Sequence, residues 1–219
     1  WRTRGPPGGY CGIGYLEGRS IPAEMRGDFA IGDFKANRVK RFAVTADGAG
    51  FSLKWKEPLL ASRHRNFRPV DVKIGPDGAI YVVDWYNSII CHQDDAYRDP
   101  HRDKAHGRIW RVAPKNNDTT SRVFPPNLVK ASTRDVLEAL TSPEHWTRYH
   151  AKRELTARDT KEVAEHMDVW VRSLDPRSPD YEHHLYEALG ACATIEAVKP
   201  KLLRRLLNAQ DYRARAYAT

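Results

Sequence analysis

The chain has 219 residues, which is enough for one large domain or two modest ones. It carries 36 lysine and arginine residues against 28 aspartate and glutamate residues, and the two signs are interspersed. Nucleic-acid binders usually concentrate their basic residues in one stripe, so this charge pattern argues against a nucleic-acid partner. The three cysteines are odd in number and widely spaced, which argues against a disulfide framework.

An internal repeat organises the first half of the chain. Residues 27–34 and 78–85 both read Gly-x-apolar-x-apolar-x-Asp-aromatic, 51 residues apart. Residues 38–42 and 108–112 form a second matched pair, 70 residues apart, so the second copy contains an insertion of 19 residues. The composition and the alternation predict a β-strand at each of these four places.

Each copy contains further strand signals. Residues 9–17 and 51–60 predict a leading and a closing strand in the first copy. In the second copy, residues 69–74 lead into Gly-Pro-Asp-Gly at 75–78, which is a tight-turn sequence. No fourth strand is evident before Pro114, so we expect the second copy to have an open edge. Four short antiparallel strands repeated at about 50 residues are typical of the blades of a β-propeller.

Two connecting segments are expected to lie on the same side of these sheets. The insertion, residues 86–106, joins a second strand to a third, and residues 61–67 join one copy to the next. In an up-and-down meander, these two kinds of loop lie on one face. Scaffolds usually carry their functional residues on such loops.

Beyond residue 113 the pattern becomes helical. Residues 114–131 are polar and contain a Pro-Pro pair, which is typical of a linker. Residues 132–219 carry apolar side chains at helical spacing between short polar turns. The sequence therefore predicts a multidomain protein, β then α. Two C-terminal blades of a β-propeller in residues 1–113 are followed by a linker and then by a fragment of a HEAT-like α-solenoid.

Particular residues support the helical repeat. Ser132 and the Ser142-Pro143 pair are signals for helix starts, with Ser as the cap and Pro at the first helical position. Ala151 and Ala188 lie 37 residues apart in similar settings. This spacing is close to the length of about 40 residues of a HEAT repeat.

Four segments resemble those of a known family: residues 67–71 (FRPVD), 75–78 (GPDG), 81–85 (YVVDW) and 106–112 (HGRIWRV). They are similar to segments of the membrane-bound dehydrogenases of planctomycetes and related bacteria. Those proteins have a propeller similar to glucose/sorbosone dehydrogenases, then HEAT-like repeats, and often a C-terminal cytochrome c module. The resemblance covers nearly the whole chain and is strongest over residues 67–112.

The resemblance implies an oxidoreductase of the periplasm or cell envelope that acts on a sugar or an alcohol. Its implied cofactors are pyrroloquinoline quinone and calcium, and its implied electron acceptor is a cytochrome. The chain contains no haem-attachment motif. The catalytic histidine base of such enzymes lies in earlier blades, so no residue here corresponds to it.

We therefore expect a fragment that is inactive alone and that attaches to a membrane only through segments outside this sequence. No apolar run approaches the ~20 residues that a membrane-spanning helix needs. The alternative is a non-catalytic module, in which propeller and solenoid together bind a glycan or a protein.

Candidate cofactor-binding residues lie at or just before the first strand of the second copy: Arg63, His64 and Arg68. Guanidinium groups suit the carboxylates of the implied quinone or of an acidic substrate. Alternatively, these side chains pair with loop carboxylates or face solvent. Asp71, in the same strand, is a candidate calcium ligand or catalytic base. Its structural alternative is to accept hydrogen bonds from turn amides between blades.

The insertion is rich in carboxylate and imidazole groups. Asp94, Asp95 and Asp99 are its candidate metal ligands, and several histidines, including His106, lie nearby in sequence. Arginine and lysine residues are interleaved with them, so a salt-bridged loop explains the same composition.

Two aspartates occupy equivalent positions in the repeat, Asp33 and Asp84. A catalytic residue is not needed once per blade, so the equivalence favours a structural role. We expect both carboxylates to accept hydrogen bonds from backbone amides at the turn that follows the second strand.

Overall fold

The computed structural model of the chain describes residues 8–90, 98–115 and 123–219. The chain divides into two compact units, Trp1–Phe124 and Pro125–Thr219, which we call the β unit and the helical unit. In the described residues, antiparallel β-sheets of four and three strands precede six α-helices. Among these helices, none is both long enough and apolar enough to cross a bilayer.

The β unit contains two antiparallel meanders. Sheet A has the strand order β1-β2-β3-β4, and its strands are β1 (Tyr10–Tyr15), β2 (Phe29–Asp33), β3 (Arg38–Asp47) and β4 (Gly50–Ala61). Sheet B has the order β5-β6-β7, and its strands are β5 (Pro69–Ile74), β6 (Ile80–Asp84) and β7 (Arg108–Val112). The strands predicted from the repeat are confirmed. Within the described residues sheet B has no fourth strand.

The turn between β5 and β6 forms as the Gly-Pro-Asp-Gly sequence predicts. The Gly75 amide donates to the Ala79 carbonyl at 2.8 Å, and the Gly78 amide donates to the Gly75 carbonyl at 3.0 Å. The Asp77 carboxylate accepts from the Ala79 amide at 3.2 Å. Gly78 has a φ of 74°, a conformation that glycine adopts without steric cost.

The two sheets pack head to tail. We call the face that carries Asp33 in sheet A and Asp84 in sheet B the front face, and the opposite face the back face. Since side chains alternate along a strand, Val39 lies on the back of sheet A, while Val72 and Val82 lie on the front of sheet B. These three valines are fully buried in one common core. The back of sheet A therefore covers the front of sheet B.

Glycines allow β5 to approach sheet A closely. A Cβ on Gly32 would lie 2.5 Å from the Pro69 carbonyl oxygen, which no real side chain tolerates. Gly12 has a φ of 61°, and a Cβ there would collide with the Asp71 backbone. Backbone contacts of this kind fix the distance between the two sheets and so position the loops at their edges.

The helical unit contains six α-helices among its described residues: α1 (Thr133–Glu138), α2 (His145–Leu155), α3 (Thr160–Ser173), α4 (Tyr181–Thr194), α5 (Pro200–Leu207) and α6 (Tyr212–Ala218). Helix α4 contacts both α2 and α6, and α3 contacts α1. Ala151 on α2 and Ala188 on α4 are fully buried in the core of the unit. Small residues at these positions let neighbouring helices pack closely.

Side-chain caps begin three of the six described helices, α1, α3 and α6. The Ser132 hydroxyl accepts from the Asp135 amide at 3.2 Å, as predicted, and Asp159 accepts from the Glu162 amide at 2.9 Å. The predicted start of the next helix at Ser142-Pro143 is wrong, because α2 begins at His145. The Ser142 hydroxyl accepts from the Glu144 amide and so closes a short turn before the helix.

Candidate functional site

Asp84 ends β6 with a fully buried carboxylate that organises the loops around it. Its Oδ1 accepts from the backbone amides of Arg68 at 2.7 Å and of Tyr86 at 3.0 Å. Its Oδ2 accepts from Arg108 Nε at 2.9 Å and from Trp110 Nε1 at 3.0 Å. Burial by itself would raise the pKa of Asp84, but these four hydrogen bonds outweigh it and lower the pKa below its ordinary value.

The same arrangement occurs one repeat earlier, at Asp33. Its Oδ1 accepts from the amides of Gly9 and Ala36, each at 3.2 Å. Its Oδ2 lies 3.1 Å from Lys40 Nζ and 3.5 Å from Arg38 Nε. In both copies the aspartate therefore joins the residue before the first strand, the turn after the second strand, and side chains of the third strand. The structural role predicted for the two aspartates is confirmed.

Arg68 is buried, and the hydrogen bonds of its side chain connect the two copies of the repeat. Its Nη1 donates to the Phe34 carbonyl at 2.7 Å, in the turn that follows β2. Its Nε and Nη2 donate to the carbonyls of Asn87 at 2.8 Å and Ser88 at 3.2 Å, at the start of the insertion. Burial, with a contribution from the nearby Arg65 charge, lowers the pKa of Arg68. All three guanidinium nitrogens thus serve the fold of these loops.

The loop that joins sheet A to sheet B is held by Asn37. Its Nδ2 donates to the carbonyls of Phe67 at 2.6 Å and of His64 and Arg65 at 3.3 Å each. Asn37 has a φ of 53°, a conformation that asparagine tolerates better than most residues. The side chains of Arg63 and His64, both predicted site residues, are exposed on this pinned loop.

Aromatic and cationic groups meet at Tyr86, the second residue after β6. The His64 ring stacks on the Tyr86 ring with centroids 5.6 Å apart, and the His106 ring meets it edge-on at 6.1 Å. The Arg108 guanidinium lies 4.0 Å from the centroid of the Tyr86 ring. We call His64, Tyr86, His106 and Arg108 the ring cluster. The contact between His64 and the insertion confirms that the two predicted loops share one face.

The backbone of Tyr86 is strained. Its φ is 51°, in the left-handed region that a bulky residue enters at a cost of roughly 1–3 kcal/mol. The amide of Tyr86 is fixed by Asp84, and its ring is enclosed by three side chains of the ring cluster. Such strain persists only where the surroundings impose it, and it concentrates at functional sites.

His106 is oriented by a carboxylate. Its Nδ1 lies 2.8 Å from Asp103 Oδ2, and Asp103 Oδ1 accepts from the amides of Ala105 and His106. These hydrogen bonds, first that of the Ala105 amide, lower the pKa of Asp103. A carboxylate at Nδ1 favours the tautomer in which Nε2 carries the lone pair. His106 is exposed, so Nε2 can accept a proton or a hydrogen bond from a ligand.

Asp99, a predicted metal ligand, makes a similar local pair. Its Oδ1 accepts from the His101 amide at 2.8 Å and lies 2.9 Å from His101 Nδ1. The other two predicted ligands, Asp94 and Asp95, lie outside the described residues. Within the described residues no three His, Cys, Asp or Glu side chains come together as a metal site would require.

Asp71 lies at the irregular start of β5, against Gly12 of β1. Its Oδ1 accepts from the Val72 amide at 2.8 Å and from Lys73 Nζ at 2.9 Å. The nearby Cys11 is partly buried, and burial, followed by the charge of Asp71, raises the pKa of its thiol. The structure therefore gives Asp71 local partners and does not bring it into the ring cluster.

The candidate site lies in a region that matches a known protein family. The family described as Domain of unknown function (DUF7133) matches residues 5–116. The chain belongs to this family. No curated protein and no solved structure matches the chain. The DUF7133 region extends from before β1 to after β7, so both aspartate networks and the ring cluster lie inside it.

The described part of the DUF7133 region does not assemble a site for the quinone and calcium that the resemblance implies. Arg68 directs its guanidinium nitrogens at protein carbonyls, and Asp71 is paired with Lys73. Calcium prefers six to eight oxygen ligands, and the described carboxylates do not converge in this way. Both cofactors stay predictions, and no chemical step below depends on them.

Sequence reasoning missed Tyr86 and Arg108 of the ring cluster. The sequence places Arg108 in a strand of the repeat and in the segment 106–112 that carries the family resemblance, and it places Tyr86 at the start of the insertion. The available signal was position, because Tyr86 closely follows a repeat aspartate and opens the longest polar insertion of the DUF7133 region. Its positive φ leaves no trace in the residue type, since tyrosine does not favour that conformation.

Proposed function

We propose that sheets A and B are consecutive blades of a β-propeller. What supports this is the head-to-tail packing, because a heterologous contact repeated by the same rotation generates a ring when that rotation closes. The two outer faces fit further neighbours of the same kind. Ile109 on the back of sheet B is 70% exposed, whereas the repeat-equivalent Val39 on the back of sheet A is 0% exposed. Tyr10, Ile13 and Tyr15 on the front of sheet A are also exposed.

The helical unit is, in the same proposal, an array of HEAT-like repeats. Alternate helices are neighbours, since α4 contacts both α2 and α6. The buried alanines Ala151 and Ala188, 37 residues apart, occupy the contacts between them. In this arrangement each repeat contains two helices, one in the layer formed by α2, α4 and α6 and the other in a second layer.

We call the face of the DUF7133 region that carries residues 61–67 and the ring cluster the loop face. For function, the proposal is that this loop face binds a carbohydrate or a related polyol. The observation that carries it is Tyr86, whose backbone is strained and whose ring contacts His64, His106 and Arg108. Small-molecule sites combine apolar aromatic surface with a few fixed polar groups. The exposed imidazoles of His64 and His106, held in place by the Tyr86 ring, offer flat surface for the C–H face of a sugar, and their nitrogen atoms offer hydrogen bonds for its hydroxyl groups.

The binding test uses Tyr86→Asn, which removes the ring while asparagine tolerates the positive φ. Tyr212→Asn on α6 is the matched control, because Tyr212 is exposed and also lies beside a guanidinium, that of Arg213. Binding of a panel of neutral and charged oligosaccharides is measured by calorimetry. We expect Tyr86→Asn to weaken binding about tenfold, the scale of one well-placed aromatic contact. If both variants bind like the wild type, the ring cluster is not the site.

A second candidate function, a dehydrogenase acting on a sugar or an alcohol, is favoured by one observation, the Asp103-oriented imidazole of His106. Since the resemblance implies a catalytic base in earlier blades, His106 would here position a substrate hydroxyl by accepting its hydrogen bond at Nε2. The family resemblance supplies the rest of this candidate: the quinone and calcium, a cytochrome as electron acceptor, and a periplasmic or cell-envelope location.

The two candidate functions are separated by turnover. The longer chain that completes the ring is supplied with pyrroloquinoline quinone and calcium, and dye reduction is measured with sugars and alcohols. The enzyme candidate expects turnover that His106→Gln reduces by about tenfold, the scale of one lost hydrogen bond to the substrate. The 219-residue chain alone is expected to be inactive. Binding of sugar without turnover in the longer chain would leave the non-catalytic module as the function.

A further inference from the structure

We propose that the ligand of the loop face is an anionic carbohydrate, one that carries carboxylate or sulfate groups. This inference rests on the proposed carbohydrate-binding function and names the class of its ligand. It comes from two arginines that flank His64 in the loop between the sheets, Arg63 and Arg65.

The two arginines are exposed beside the ring cluster. His64, which lies between them, stacks on Tyr86 at 5.6 Å. Nowhere in residues 8–90, 98–115 or 123–219 does either guanidinium have a hydrogen-bond or ion-pair partner. Two cations that flank His64 without a carboxylate partner in the described residues make a local excess of positive charge.

The loop presents these cations on a fixed backbone. Asn37 holds the carbonyls of His64, Arg65 and Phe67, so that ligand binding need order only the side chains. Preorganisation of this kind reduces the entropy lost on binding. A guanidinium fork donates two parallel hydrogen bonds to a planar carboxylate, and it matches the oxygens of a tetrahedral anion equally well.

The carboxylates of the described part of the insertion, and Asp84, have partners of their own. Asp99 and Asp103 of the insertion are bonded to His101 and His106 and to turn amides. Asp84 is fully buried beneath the loops, with four hydrogen-bond donors around its carboxylate. An anionic ligand would give Arg63 and Arg65 the partner that they lack among the described residues.

A nucleic acid also carries anions, but it fits the observations less well. Its affinity comes from many phosphate contacts along a basic track. Here, within the described residues, two unpaired arginines flank His64 of a compact ring cluster, and acidic residues occur in the insertion. A short anionic sugar segment places one or two charges next to a pyranose ring, which matches two arginines next to a tyrosine.

The test compares four ligands of similar length: an oligogalacturonate, a sulfated oligosaccharide, a neutral oligoglucoside and a single-stranded DNA. The variant is Arg63→Gln with Arg65→Gln. The control, Lys161→Gln with Lys201→Gln, removes the same charge from exposed positions of the helical unit. Calorimetry at two salt concentrations gives the affinities, and urea unfolding of each variant verifies that the fold is unchanged.

We expect one or both of the anionic sugars to bind at least tenfold more tightly than the neutral one. We also expect the arginine variant, but not the control, to abolish this preference while neutral binding is unchanged. The carboxylate and sulfate arms identify the source of the anion. Equal affinity for neutral and anionic sugars, equal losses in variant and control, or tighter binding of the DNA would overturn the anionic inference. Absence of binding to every sugar would instead overturn the proposed function.

Discussion

Replacement of Asp84 by asparagine tests whether one buried carboxylate holds the loop face together. Asparagine keeps an oxygen that can accept from the amides of Arg68 and Tyr86. Its other terminal atom is an amide nitrogen, which would face the Arg108 and Trp110 donors that now bond to Oδ2. The substitution is nearly isosteric, so its cost reports on hydrogen bonding and charge and not on a cavity.

The expected cost follows from these partners. Removing one member of a buried ion pair costs about 3–5 kcal/mol, because the other charge is left without compensation. The Arg108 side chain is one-third exposed, so water compensates part of its charge, and we expect the lower end, about 3 kcal/mol. At a urea dependence of about 1–3 kcal/mol per molar, the unfolding midpoint of the β unit should fall by about 1–3 M.

The assay must separate the two units, since a chain of two units need not unfold in one step. Hydrogen exchange followed by mass spectrometry along a urea series reports β5 and β6 separately from α4. The control is Asp47→Asn in the exposed end of β3, which should change stability by less than about 0.5 kcal/mol. A midpoint for Asp84→Asn equal to that of the control would refute this account of the network. A shift in α4 as large as that in β6 would do the same.

The network also predicts a pH dependence. The folded pKa of Asp84 lies below its unfolded value of about 3.9, so the stability from this group is fully present above that value. It is lost as the pH falls through the lower folded pKa. Between about pH 5 and pH 2 the wild-type β unit should therefore lose more stability than Asp84→Asn, as measured by the same exchange experiment.

Two further substitutions test the close approach of the two sheets and a buried carboxylate of the helical unit. Gly12→Ala should destabilise the β unit by about 3 kcal/mol, because φ is 61° and the new Cβ meets β5. The control, Gly48→Ala, has open space around the new Cβ and should cost about 1 kcal/mol. Equal urea midpoints for the two variants would contradict this prediction. Burial would raise the pKa of Glu187, but hydrogen bonds from His183 and Lys152 lower it to about 2. Glu187→Gln should cost the helical unit about 3 kcal/mol of stability at pH 7. It should also reduce the ellipticity that this unit loses between pH 4.5 and 2. An unchanged acid transition would exclude a stabilising role for the Glu187 carboxylate.

The strands were predictable because local pattern and tertiary role agree. In residues 27–34 and 78–85 the alternation, the glycine and the aspartate each have one structural meaning, and the structure uses all three. The helix start at Ser142-Pro143 was mispredicted because local chemistry allowed two outcomes. A serine before a proline can cap a helix or close a turn, and only the packing of α2 selects between them.

The site was less predictable, because its residues acquire their roles from distant partners. Arg68 looks available in the sequence, yet its guanidinium donates to Phe34, 34 residues away, and to two carbonyls of the insertion. Charge predicts that an arginine seeks oxygen acceptors, but not whether those acceptors belong to a ligand or to the fold. By contrast, Arg63 and His64 on the same loop remain exposed, and the cofactor-binding role of all three residues stays a prediction.

Comparison of the two copies separates scaffold from site. Both copies keep the buried aspartate, and both place a residue of positive φ in the segment after it, Asn37 in one and Tyr86 in the other. In the first copy the segment is short, and Asn37 uses its side chain to hold the neighbouring loop. In the second copy the segment is 19 residues longer, and the residue of positive φ carries an aromatic ring enclosed by two imidazoles and a guanidinium. A feature that both copies share serves the sheet, whereas the ring cluster belongs to one copy and needs a reason beyond folding.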